Sequence, residues 1–173
     1  MTPMIVMKAI KPAALKTKAM RLVLLNAMRA TAKDIEKDYE KTTKTWKRDV
    51  KFEQAVSLKQ PGPTILVGTD DKIYRYVNDG TRPHEIWAGI YTGKSNKKAL
   101  AFPSGSRPKT QPRVIGSGRG WRGGPTLVRP MVNHPGGKAR HFSSTLEKIW
   151  KPRFQKQMQA AMKKAGKKSG HDI

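Results

Sequence analysis

The strongest constraint in this chain is a stretch that nothing interrupts. After Pro12, neither proline nor glycine occurs through Asp49. Proline suits the first turn of a helix, where its missing N–H costs nothing. Bulky or apolar residues then recur at Leu15, Leu22, Leu25, Met28, Ala32, Ile35, Tyr39 and Trp46. Leu25, Ala32, Tyr39 and Trp46 are each seven residues apart, and Met28 and Ile35 supply a second heptad line. The pattern predicts one long helix over 12–49, roughly 50 Å at 1.5 Å per residue. Between Asp34 and Arg48 acids and bases alternate, as on a solvated face with i,i+4 pairs.

The period then changes. Val50, Phe52, Val56 and Leu58 alternate with polar residues, which predicts a strand ended by Pro61-Gly62-Pro63. Thr64–Gly68 reads as a buried strand, and Ile73–Val77 as another after an Asp70-Asp71 turn. Ala99–Phe102 is a further strand, so that 50–103 is strand-rich. Residues 104–125 read as a basic, flexible loop. From Ser104 to His141 there are eight bases, eight glycines and five prolines, and no acid. A last strand and turn occupy 126–142, with Pro130 at an edge or bulge. A C-terminal helix over 143–166 follows, with Ser144 and Glu147 as a capping box and Gly166 as its stop. Pro152 predicts a kink in it or a late start near Lys151. Residues 167–173 form a frayed tail. The expectation is a single α+β domain: a long N-terminal helix, an antiparallel β-sheet with a long Gly/Arg-rich loop, and a C-terminal helix packed on the sheet.

Charge and composition narrow the function. The 173 residues carry 36 Lys and Arg against 12 Asp and Glu, a net charge of +24. Such a balance favours a polyanionic partner: nucleic acid above all, an acidic membrane, or an acidic protein face. With no cysteine, disulfide scaffolds and thiolate chemistry are excluded. No apolar run is long enough to span a membrane. The acid-free first 33 residues resemble a transit peptide in composition, but the same periodicity continues past Arg29 as ordinary helix.

Catalytic patterns fail one by one. Gly93-Lys94-Ser95 lacks the upstream glycine of a phosphate loop, where Ala88 stands. Gly118, Gly120 and Gly123 meet the G-x-G-x-x-G spacing, but Gly124-Pro125 follows where a dinucleotide site needs a helix. His84 with Glu85, and His134 with His141, are the nearest approach to metal ligands, and neither has helical spacing. No carboxylate pair or nucleophile motif stands out, so no enzyme, cofactor or metal site is expected. A basic set does stand out: Arg107, Lys109, Arg113, Arg119, Trp121, Arg122 and Arg129, with Trp121 between two arginines. Such a set suits sequence-independent contact with a phosphate backbone, or docking on an acidic subunit.

Two further segments carry a resemblance. One is Tyr76-Val77-Asn78-Asp79-Gly80-Thr81-Arg82-Pro83-His84-Glu85-Ile86, followed by Lys98-Ala99-Leu100-Ala101-Phe102-Pro103. The other is Val132-Asn133-His134-Pro135-Gly136-Gly137-Lys138-Ala139-Arg140-His141-Phe142. In this order they resemble the small neck, or tail-completion, proteins of long-tailed bacteriophages. The likeness spans about Tyr76–Ala165. His141 stands where the family has proline, and 104–124 looks like an insertion. The resemblance implies a structural virion protein at the head–tail joint, made in the host bacterial cytoplasm and assembled into a homo-oligomeric ring around the DNA channel. Six-fold symmetry is favoured, with twelve-fold as the alternative. Its partners would be other neck and tail proteins, with non-specific contact to genomic DNA and none to membrane. Subunit-interface turns would hold Gly80, Thr81, Arg82, Pro83, His84, His134, Pro135, Gly136, Arg140 and Phe142. The competing expectation is a free, sequence-independent nucleic-acid-binding protein.

Overall fold

A computed structural model describes residues 7–8, 18–59, 62–116 and 118–168. The chain has an α+β fold. The long helix α1 spans Lys18–Thr43, and the predicted start at Pro12 lies outside the described residues. Its buried side follows the two heptad lines at Met28, Ala32, Ile35 and Tyr39, but in the first turns Leu24 is buried, whereas Leu25 of the predicted seam is half-buried and Leu22 is exposed. The helix ends before 49 for a local reason. Thr42 and Thr43 turn their hydroxyls back onto the carbonyls of Tyr39 and Glu40, at 2.6 and 3.2 Å, and so take acceptors from the last turn. Trp46 lies beyond the helix, in a turn whose amide donates to the Thr43 carbonyl at 2.8 Å.

A small antiparallel sheet lies against α1. Strand β1 (Met7–Lys8) and strand β2 (Glu53–Ser57) flank strand β3 (Thr64–Gly68), in the order β1-β3-β2. Ile65 pairs with Met7 on one side and Val56 on the other. Ile65 and Val67, two apart on the pleat, are wholly buried on the helix-facing side.

The C-terminal helix α4 spans Phe142–Lys168. It packs chiefly along α1 and touches the sheet at β1, so its main partner is a helix rather than the expected sheet face. Thr31 donates to Gln157 Oε1 at 2.6 Å and the Trp150 indole donates to Asp38 at 2.9 Å. That register makes the two helices antiparallel. The late start near Lys151 is not found, because the helix runs through Pro152 from residue 142. Pro152 is exposed, so the carbonyl it leaves unpaired can be hydrated. Gly166 does not stop the helix; it is buried within the last turn. The capping box does not form either. Ser144 and Thr145 donate to the His141 carbonyl instead, at 3.2 and 2.7 Å.

Residues 72–79 form helix α2 (Lys72–Asp79), where a strand over 73–77 is predicted from the β-prone side chains. The competing signal is the cap. Asp71 accepts the Tyr74 amide at 2.8 Å, and Gly80 closes the helix with φ 80°. Tyr74 and Asn78, one helical turn apart, are the buried pair. Tyr74 then sits at the centre of an aromatic cluster, with ring centroids 5.2 Å from Phe52, 6.1 Å from Trp46 and Phe142, and 6.2 Å from Tyr39. Burial pushes the Tyr39 phenol up to about 12 and raises Tyr74 further still.

Candidate functional site

The two turn motifs close on each other. Asn78, at the end of α2, presents its Oδ1 to the Ser143 amide at 3.0 Å, capping α4 from a distant element. Its carbonyl accepts the His141 and Arg140 amides at 2.9 and 3.1 Å. Thr81 and Gly137 exchange two hydrogen bonds: the Thr81 amide donates to the Gly137 carbonyl at 3.0 Å, and the Gly137 amide to Thr81 Oγ1 at 2.7 Å. Gly80 and Gly136 make this approach feasible. Both have positive φ, and a β-carbon on Gly80 would lie 2.7 Å from the Gly137 carbonyl oxygen, while one on Gly136 would overlap that of Thr81. Phe142 is wholly buried against Tyr74. It anchors the joint from inside rather than facing outward.

A bent ribbon leaves this joint. Strand β4 (His84–Trp87) pairs with strand β7 (Met131–His134), and strand β5 (Leu100–Arg107) with strand β6 (Trp121–Arg129). Pro130, which has no N–H to donate, separates β6 from β7, and its carbonyl accepts the Ala88 amide at 2.9 Å. Residues 88–99 loop out between β4 and β5 and contain the short helix α3 (Gly89–Thr92). Gly93, from the rejected phosphate-loop pattern, is its left-handed C-cap. Ile86, Trp87, Ile90, Tyr91 and Val128 of this ribbon are exposed.

The segment expected as a flexible loop over 104–125 is paired at its two ends, over 104–107 in β5 and 121–125 in β6. Its middle returns to the body. Arg113 donates its amide to the Arg140 carbonyl at 2.7 Å, Arg140 Nε donates to Thr110 at 3.2 Å, and Ile115 packs on the core. Arg140, expected at a subunit interface, therefore clasps three parts of its own chain. Gly105, Gly120 and Gly123 serve close packing. Trp121 lies across Gly105 and Gly123, where β-carbons would stand 2.8 and 2.5 Å from the indole.

Beside that indole is a basic cleft of about 460 Å³. Lys47 and Thr45, just after α1, form one wall; Arg107, Lys109, Trp121 and Arg122 form the other. Lys109 Nζ reaches the Thr45 carbonyl at 3.5 Å, a weak contact across the gap. The Thr45 hydroxyl is buried and has no hydrogen-bond partner among the described residues. No acid lines the cleft, and residues 86–146 contain none at all. Trp121 is 57% exposed.

Of the basic residues singled out in the sequence, Arg107, Lys109, Trp121 and Arg122 come together here. Arg129 does not: it pairs with Leu100 at the other end of β6. Arg113 and Arg119 are exposed on the connecting segment. Sequence reasoning missed Lys47, because the Asp34–Arg48 stretch reads as a self-neutralising helical face. Part of that face does pair, Lys41 with Asp38 at 2.6 Å and Arg48 with Asp71 across elements. Lys47 follows the helix and turns toward the ribbon cleft.

His84 and His134 are cross-strand partners with ring centroids 5.1 Å apart, so His134 faces His84 and not His141. His134 Nδ1 accepts the Gly136 amide at 3.0 Å. Among the described residues no group of three His, Asp or Glu side chains is arranged to hold a metal ion. No described helix is long and apolar enough to cross a membrane. No protein-family model matches the chain, and no curated protein or solved structure matches it either.

Proposed function

We propose that this chain is a structural subunit of a tailed phage's neck, assembling into a ring that completes the tail attachment around the DNA channel. The observation that carries the reading is the joint. The two segments that resemble the neck proteins, 76–86 and 132–142, interlock through Asn78, Thr81, Gly136 and Gly137. Segments that the resemblance groups by order are thus grouped by contact. The ribbon adds support, since an exposed apolar set around Trp87 and Tyr91 is what a subunit contact would bury. In a closed ring this face meets the neighbouring subunit.

The second reading, a free nucleic-acid-binding protein, is favoured by the acid-free cleft at Trp121. Gold-conjugated antibody against the purified chain, applied to particles of the encoding phage, separates the two. Gold at the head–tail joint is the expected result. Mature particles that carry none of the chain would overturn the neck reading and leave the second.

A further inference from the structure

We infer that the Trp121 cleft is a binding site for single-stranded nucleic acid, contacted without regard to sequence. The inference does not rest on the neck reading. It follows from how the ribbon is built. Gly105 and Gly123 are opposite each other in the β5–β6 register, and neither carries a side chain. The indole of Trp121 lies over that bare backbone, held from below, with much of its surface open to solvent. A flat, immobilised ring with an open side is a stacking platform.

The surroundings select the ligand. Arg107 is the cross-strand partner of Trp121 and so shares its face of the ribbon, and Arg122, next to Trp121 on β6, also lines the cleft. Gly120 lets Lys109 pass over it: a β-carbon there would lie 2.5 Å from Lys109 Cγ. Lys47 faces them from the body. Four cations lining the cleft that holds the indole, without a carboxylate, suit the phosphates that flank a stacked base. A duplex keeps its bases stacked on each other and cannot offer one to the ring. An acidic protein face would satisfy the cations but leave the indole unused. Single strands satisfy both.

The test uses the purified full chain and a fluorescent mixed-sequence 12-nucleotide DNA, read by anisotropy across a salt series. Single strand is expected to bind more tightly than the matching duplex. Trp121→Ala should weaken it about tenfold, within the range of one stacked base. The double variant Arg107→Glu/Arg122→Glu should reduce the log–log salt slope by about 1.4, two single-strand phosphate contacts. The control Lys148→Glu/Lys156→Glu changes net charge equally on exposed α4 positions. Urea midpoints verify that each variant is folded. Equal weakening by the cleft pair and the control would overturn the site in favour of bulk charge. Duplex binding as tight as single-strand binding, with Trp121→Ala unchanged, would overturn the stacking. Poly-glutamate competing as well as the oligonucleotide would move the cleft to an acidic protein partner. None of these outcomes depends on where the chain sits in a particle.

Discussion

Replacing Asn78 by alanine removes one side-chain atom that caps a helix sixty-five residues away in sequence. Asn78 is 4% exposed, and its Oδ1 is the acceptor for the Ser143 amide at the start of α4. Ser143 is itself buried, so water cannot replace the lost partner without opening the joint. Loss of an N-terminal cap costs about 1 kcal/mol. Stranding a buried amide costs about 1–3 kcal/mol, which includes much of the same effect. The expected destabilisation is therefore about 2–3 kcal/mol, a large share of a typical stability of about 5–15 kcal/mol. For a chain of this length that lowers the melting temperature by about 5–10 °C. Asn78→Asp is the informative companion. It keeps the acceptor and places negative charge at a helix N-terminus. It loses the Nδ2 bond to Asp79, now 2.6 Å, and sets two carboxylates side by side. Its loss should stay near 1 kcal/mol. Urea unfolding followed by far-UV circular dichroism measures both. An Asn78→Ala variant within about 0.5 kcal/mol of the parent, or an aspartate variant equally damaged, would refute the capping argument.

Two other perturbations follow from the same packing. Gly136→Ala forces a β-carbon into the Thr81 carbonyl at a positive φ, so loss of cooperative unfolding or a drop of several kcal/mol is expected in the same urea assay. Alkali should unfold the chain through its buried phenols. Tyr39 is pushed up to about 12 from an ordinary value of 10.0, and Tyr74 is raised further, so the folded state holds protons that the unfolded state releases. Their contribution is complete below pH 10 and is lost as pH rises through 12, at up to about 1.4 kcal/mol per pH unit for each tyrosine. Urea midpoints between pH 9 and 12 should fall less steeply in Tyr74→Phe, and an unchanged slope would show that Tyr74 titrates freely.

The sequence alone determined the parts whose cause is local. The seam on α1, the buried strand 64–68 and the C-terminal helix each rest on a repeat or alternation contained within the element. The turns at Gly80 and Pro135-Gly136 were legible for the same reason, since positive φ is a property of one residue. Where local signals conflicted, context chose. Ile73–Val77 has β-prone side chains, but the Asp71 cap and the buried Tyr74–Asn78 face made it helical. The Gly/Arg-rich stretch looked flexible because glycine is permissive in an isolated chain. Only the tertiary structure supplies the indole and carbonyls that fill the space at Gly105, Gly120 and Gly123. The candidate site divides in the same way. Arg107, Lys109, Trp121 and Arg122 were visible as a basic, aromatic group, whereas Lys47 joined them through the turn that follows α1. Chain order cannot encode that meeting directly. It arises because α1 ends at Thr43, and because Arg140 draws the far end of the ribbon back to the body.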